Sequence, residues 1–260
     1  MQLVSTAKTK KLKKEFEATS LYLKLIQETF DDLVAHVQIQ DFYNIFPKNK
    51  DVEANLHIVI TSDLGLCGSY NHNIIKLFKS QFKPNDKVIV IGTKGYTMLK
   101  SLYDESILQN FTDLGDKINY QVGSIIAKKA LELYEDKEVS SIYLYFTKFV
   151  NNVVQEAQQI TLFPFDIEKR NIEASKQELE FEPNAETVLK NSIPLYISSM
   201  VYCLANESKI SEMASRRNAM ENATNNADDL IKELKLEFNR KRQSNITQEI
   251  NEIVAGADAT

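Results

Sequence analysis

Ser62-Asp63-Leu64-Gly65-Leu66-Cys67-Gly68 is the stretch of this chain whose residue types come closest to chemistry. It follows an apolar run and precedes a helical one. A strand, a Gly-containing loop and a helix together can cradle a phosphate on the free N–H groups of the helix N-terminus. The run lacks the three-glycine dinucleotide fingerprint and the Gly-Lys-Ser/Thr phosphate loop. A tight structural turn over Gly65, Leu66, Cys67 and Gly68 that packs the helix against a sheet is therefore the expectation. Asp63, Cys67 and His72 contain the residue types of a nucleophile, a base and an orienter, but their spacing supports no such set. His36, His57 and His72 are scattered, and His57 reads as a satisfied buried histidine within a strand. Cys67 and Cys203 fit no metal-ligand spacing and read as free thiols in a reducing compartment. No catalytic residue, cofactor or metal is expected.

A second candidate is a recognition surface. Asn239-Arg240-Lys241-Arg242-Gln243-Ser244-Asn245 places seven polar residues in succession inside a helical pattern that turns apolar again at Ile246. A helix that changes from apolar to polar and back changes partners, so a protein contact is expected there. A guanidinium such as that of Arg242 holds a carboxylate by two parallel hydrogen bonds. Five lysines within Lys8–Lys14 could bind nucleic acid or anionic lipid, but read rather as a solvated face or as a contact with acidic partner surfaces.

The elements that must carry these residues follow from hydrophobic period. Residues 1–46 contain neither Gly nor Pro, and Phe16, Leu23, Phe30 and Val37 recur every seven, with Leu12, Ile26 and Leu33 on the adjoining offset. That is a helix-packing seam, and Pro47 closes it. Between 54 and 164 the period changes. Ala54–Thr61, Lys87–Ile91, Ser140–Phe149 and Gln155–Phe163 read as strands, the last an antiparallel partner. Helices are expected over Asn73–Phe82, through Met98 and Leu102, and from about Asn119 to Tyr134. Strands alternating with helices predict an α/β layer of Rossmann-like type with a largely parallel sheet. Residues 166–183 read as a loop.

Beyond 184 the sequence has one Pro, Pro194, and no Gly before Gly256. Met213, Met220, Ala227 and Leu234 repeat at seven, and Ile246, Ile250 and Ile253 resume the spacing. A helix from Leu195 to Ala255 would be roughly 90 Å long and needs a second long helix to cover it. The two ends of the chain are therefore expected to form an antiparallel coiled coil. The domain reading is 1–46 for the first arm, 47–183 for the α/β domain and 184–260 for the second arm. Across all 260 residues there are only 7 Gly and 5 Pro, which agrees with few turns and long helices, and a net charge of −5 speaks against a nucleic-acid partner. No run is long and apolar enough to span a bilayer.

These blocks resemble the gamma subunits of F-type ATP synthases. Ser62-Asp63-Leu64-Gly65-Leu66-Cys67-Gly68-Ser69-Tyr70-Asn71 resembles the family's Ser-Asp-x-Gly-Leu-Cys-Gly-x-x-Asn signature. Ala219-Met220-x-x-Ala223-Thr224-x-Asn226, Leu230-Ile231-x-Glu233-Leu234 and Arg242-Gln243-x-x-Ile246-Thr247-Gln248-Glu249-Ile250-x-Glu252-Ile253-Val254-x-Gly256-Ala257 are similar to its C-terminus. Met1–Lys8 resembles a segment of its first helix, which in the family is preceded by further residues. Arg217 and Asn218 stand where the family usually has apolar residues.

The resemblance implies a non-catalytic rotor shaft inside a ring of alpha and beta subunits, joined to an epsilon-type subunit and a membrane c-ring. The chain itself would be cytoplasmic, on the inner face of the membrane, without inserting into it. It implies that Arg242 and Gln243 contact a beta subunit, and that Arg216, Thr247 and Glu249 share in coupling. Two other readings stay open at this level. One is a paralogous motor that moves something other than protons. The other is a small nucleotide-binding α/β enzyme with helical dimerisation arms.

Overall fold

In the computed structural model, which describes residues 2–37, 39–115, 118–165 and 180–258, the hydrophobic period change is realised as a sheet flanked by chain-terminal helices. In order these are α1 (Gln2–Ala35), α2 (Ile39–Ile45), β1 (Asn55–Ile60), α3 (Tyr70–Lys79), β2 (Lys87–Ile91), α4 (Thr93–Tyr103), β3 (Ile107–Phe111), α5 (Tyr120–Glu135), β4 (Ser141–Phe149), β5 (Gln155–Phe163) and α6 (Ala185–Asp258). The chain divides into two units, Met1–Asn218 and Ala219–Thr260. The first holds the sheet, the five shorter helices and the start of α6.

The sheet order is β3-β2-β1-β4-β5. β1 pairs in parallel with β2 and β4, β2 in parallel with β3, and β5 runs antiparallel on the edge of β4. Because helices cover both faces, the inner strands are apolar on both. Leu56, Ile58, Ile60, Ile89, Ile91, Ile142, Leu144 and Phe146 face the larger core with α1, α2, α5 and α6. Val59, Val88, Val90 and Tyr145 face a second core with Ile74, Ile75, Phe78 and Leu99 of α3 and α4. The Rossmann-like α/β reading holds. β3 alternates in burial but not in residue type, and was not expected.

The two chain ends pair antiparallel, as the seven-residue seams require. Phe30 stacks on Tyr196 with ring centroids 4.2 Å apart, Tyr22 shares a hydrogen bond with Ser199 at 3.1 Å, and Leu12 packs with Ile210 and Met213. The bases of both arms belong to the domain core, not to a free-standing coil: Val34, Val37, Leu189, Ile193, Ile197 and Val201 are all buried in it. Two local departures follow from that burial. The first arm ends its long helix at Ala35 and restarts at Ile39, which turns Phe42 and Phe46 onto Phe165 and Phe163. α6 begins ten residues before the expected start, on Asn184, whose side chain accepts from Thr187 N at 2.8 Å. Pro194 therefore sits inside the helix, where packing of Leu189, Ile193 and Ile197 outweighs its missing N–H. Close approach of α5 to α6 depends on Gly123, where a Cβ would lie 2.6 Å from Ser198 O.

Of the expected loop 166–183, residues 166–179 lie outside the described residues. In the second unit the side chains from 221 to 254 are all exposed on α6.

Candidate functional site

The loop after β1 is a closed hydrogen-bonded unit. Ser62 N donates to Asn71 Oδ1 (3.0 Å), Asn71 Nδ2 donates back to Ser62 Oγ (2.7 Å), and Ser62 Oγ donates to Leu64 O (2.7 Å). Asp63 caps α4: its Oδ1 accepts from Thr93 N and Thr93 Oγ1, each at 3.0 Å. The same carboxylate accepts from Asp113 N and Leu114 N. Leu66 and Gly68 take left-handed backbone angles, φ 62° and 59°, which for leucine is a strained state held by its surroundings. The result points two leucines outward, Leu64 at 68% and Leu66 at 61% exposure.

Arg216 holds this loop from α6. Its Nε donates to Gly65 O (3.1 Å) and its Nη2 to Leu64 O (2.9 Å), while Nη1 pairs with Glu212 Oε1 at 2.7 Å. Glu212 Oε2 also meets Lys209 Nζ at 3.1 Å. Arg216 is only 6% and Glu212 2% exposed. Arg216, which the family resemblance implies in coupling, is thus buried, unlike Arg242, Gln243, Thr247 and Glu249. Its guanidinium is already engaged by two carbonyls and a buried carboxylate within its own unit.

Doubly wound sheets take nucleotides in the crevice beyond the carboxyl ends of their strands. Here the crevice past β1 and β2 is lined by Thr61, Asp63 and Gly92 on one side and by Ser208, Lys209 and Glu212 of α6 on the other. The helix lies where a nucleotide would lie. Gly65–Gly68 lies in the loop between β1 and α3 that the Ser62–Asn71 hydrogen bonds close. The Asp63 carboxylate is used by four donors, Cys67 is buried and His72 is exposed. Among the described residues no His, Cys, Asp or Glu cluster could hold a metal ion.

His57 is the satisfied buried histidine expected. Its Nε2 lies 2.8 Å from Asp86 Oδ2 and its Nδ1 2.9 Å from the Tyr145 hydroxyl. Burial lowers its pKa below 6.5, and the Asp86 hydrogen bond and charge offset only part of this.

Arg242, Gln243, Thr247 and Glu249 lie on α6 within the second unit, all exposed. At 3.6 residues per turn Arg242 and Glu249 share one side with Ile246 and Ile253, while Gln243 lies beside Ile246 and Ile250. Thr247 Oγ1 donates to Gln243 O at 2.9 Å. Ahead of them Leu230, Ile231, Leu234 and Phe238 form an exposed apolar stripe, and Ile246, Ile250 and Ile253 resume it afterwards. Contiguous exposed apolar surface of this kind marks a protein contact. The sequence did not show the inward-facing polar groups of α6. Ser208, Ser211 and Glu212 belong to a stripe that reads, by type alone, as solvated; only its spacing on the face pointing to the sheet gives it away.

Comparison with known proteins agrees with this arrangement. A family model described as ATP synthase matches residues 1–260. The ATP synthase gamma chain of Mycoplasmopsis synoviae (strain 53) is 44% identical over 265 residues, spanning 100% of this chain and 92% of that one. That of Mycoplasma mycoides subsp. mycoides SC is 40% identical over 260 residues, spanning 100% and 91%. Among solved structures, a chain of the Euglena gracilis mitochondrial ATP synthase, OSCP/F1/c-ring, superposes with a TM-score of 0.63 at 17% identity, over 98% of this chain and 95% of that one. A chain of the Tetrahymena thermophila mitochondrial ATP synthase central stalk and c-ring gives a TM-score of 0.59 at 22% identity, over 85% and 99%.

Proposed function

Because the chain belongs to the gamma-chain family of ATP synthases, we propose that it is the central shaft of a rotary F-type ATP synthase, coupling rotation to conformational change at catalytic beta subunits. It performs no chemistry itself. Its partners are the alpha and beta subunits of the catalytic ring, with an epsilon-type subunit and a membrane c-ring at the other end. It sits at the cytoplasmic face of the membrane by way of those partners, and among the described residues no helix is long and apolar enough to cross a membrane.

The observation that carries this reading is the second unit. Every side chain from 221 to 254 on α6 is exposed in the isolated chain, yet the apolar spacing continues through it and is broken only over residues 239–245. Such a surface needs a surrounding protein. An asymmetric rod acts on a ring as a ligand with a different affinity for each beta conformation, so its orientation shifts their populations. Arg242 and Gln243 supply the directional anchors to a beta subunit, with Thr247 and Glu249 beside them. Arg216 acts on the ring only through the loop it holds in place.

Purification from the native source tests the assignment. The chain is expected to co-purify with alpha- and beta-type subunits and to hydrolyse no ATP alone. Replacing Arg242 and Gln243 with Ala is expected to slow hydrolysis by the complex while leaving the fold of the isolated chain unchanged. Recovery of the wild-type chain as a partnerless monomer, or full activity of the double variant, would refute the reading.

A further inference from the structure

Between Glu207 and Asn218, α6 changes its manner of packing. Before this stretch it is held by apolar side chains, Leu189, Ile193, Ile197, Val201 and Leu204. From Glu207 onward buried and half-buried polar side chains join Ile210 and Met213 on its packed side. Ser208 Oγ accepts from Thr147 N at 2.9 Å, and Ser211 Oγ donates to Thr147 O at 3.0 Å. Ser208 O accepts from the Tyr70 hydroxyl at 3.0 Å, and Glu207 Oε1 accepts from Phe149 N at 3.1 Å. Ser215 Oγ donates to Gln155 Oε1 at 3.1 Å, and Asn218 Nδ2 donates to Asn152 O at 2.8 Å. Arg216 adds the two bonds to the loop after β1.

We infer that this polar stripe is a torque joint, which keys α6 to the sheet at the end of the first unit and passes twist between the sheet domain and the shaft. The inference rests on the rotary reading above. Three features support it. The partners come from β4 in the middle, from the loop after β1 on one flank and from β5 and the β4–β5 turn on the other, because β4 lies between β1 and β5 in the sheet. The helix is therefore restrained against rotation in either sense. Apolar burial is non-directional, so a greasy interface alone lets a helix turn in its seat. Hydrogen bonds weaken steeply with misalignment, and turning a helix by one residue, about 100°, carries every member of a stripe away from its partner. The joint also explains why Ser208 and Ser211 stand at buried positions, and Ser215 at a half-buried one, where Ala or Leu would pack more simply.

The test uses the whole complex carrying Ser208→Ala, Ser211→Ala and Ser215→Ala together, since alanine favours the helix and leaves its apolar contacts in place. Angular fluctuation of a probe on the 219–260 segment is measured with the sheet domain anchored, alongside ATP hydrolysis and ATP-driven ion pumping. Hydrolysis is expected to persist. Angular variance is expected to rise about 1.6-fold, because three of the eight directional bonds of the stripe are gone, and pumping per ATP hydrolysed is expected to fall. Unchanged variance with an unchanged pumping ratio would overturn the joint. The pair Ser211→Ala and Ser211→Thr decides if the triple variant does not assemble. Threonine keeps the hydroxyl that donates to Thr147 O and is expected to restore wild-type variance, and no difference between the two would sink the idea. A wild-type complex that neither rotates nor pumps would instead overturn the functional reading on which the joint stands.

Discussion

Replacing Arg216 with Met tests whether the loop after β1 is held from α6 by charge. The substitution keeps the length and much of the apolar stem but removes the bonds to Leu64 O and Gly65 O, the pair with Glu212 and a weak bond to Met213 Sδ. Breaking a buried ion pair by deleting one partner costs about 3–5 kcal/mol. Glu212 retains Lys209 at 3.1 Å, which argues for the lower end. The two carbonyls belong to a surface loop and regain water, adding about 1 kcal/mol or less. The expected loss is about 3–4 kcal/mol, read as a lower urea midpoint for the isolated chain. Tyrosine emission is the signal, since the protein has no Trp. Replacing Glu212 with Gln, singly and together with the Arg216 change, completes a double-mutant cycle with an expected coupling of about 2 kcal/mol. Chymotryptic cleavage after Leu64 and Leu66 is expected to accelerate in the Arg216→Met chain, because the strained loop loses its brace. Arg216→Lys should recover the ion pair but not the fork on both carbonyls, leaving cleavage faster than wild type. A loss below about 0.5 kcal/mol, or a coupling near zero, would mean the guanidinium behaves as a solvated surface charge.

Three further outcomes are expected. Gly123→Ala places a Cβ 2.6 Å from Ser198 O, forcing α5 away from α6 at a cost of about 2–3 kcal/mol; an unchanged thermal midpoint would contradict the close crossing. His57 has its pKa lowered by burial, so its contribution to stability is present above pH 6.5 and is lost as pH falls through the lowered folded value. His57→Gln should therefore flatten the pH dependence of the urea midpoint below 6.5, and an identical profile in both chains would refute it. Burial pushes the Cys203 thiol up to about 12, so iodoacetamide at pH 8 should leave Cys203 unmodified until the chain unfolds, as peptide mass mapping would reveal.

How much of this was readable from the residues depends on where tertiary contacts overrode local signals. The bounds of β2 follow from its apolar run and the turns beside it, and the pairing of the chain ends follows from seams of period seven. The restart between α1 and α2 has no Gly or Pro to mark it, because its cause is the distant aromatic cluster of Phe163 and Phe165 that Phe42 and Phe46 join. Pro194 misled for the same reason: a breaker by type, it sits in a helix that the core holds on either side. β3 is a short edge strand whose Gln109 and Asn110 give no alternation. At the site, the turn character of Gly65–Gly68 and the exposure of Arg242, Gln243, Thr247 and Glu249 agree with their types. Arg216 was the residue whose direction could not be inferred, since a helix carries charge equally well toward solvent or toward buried carbonyls.

The antiparallel union of the first and last helices also sets a schedule for synthesis. Tyr22 meets Ser199 across 177 positions of chain. At about 5–20 residues per second on a ribosome, α1 emerges roughly ten to forty seconds before its mate exists. Throughout that interval the seam of Leu12, Phe16, Leu23 and Phe30 has nothing of its own chain to lie against. The sheet must condense with its covering helix still missing, and the first-born segment becomes the last to find its place. A nascent chain of this protein is thus a natural client for whatever shields greasy helices at the ribosome exit.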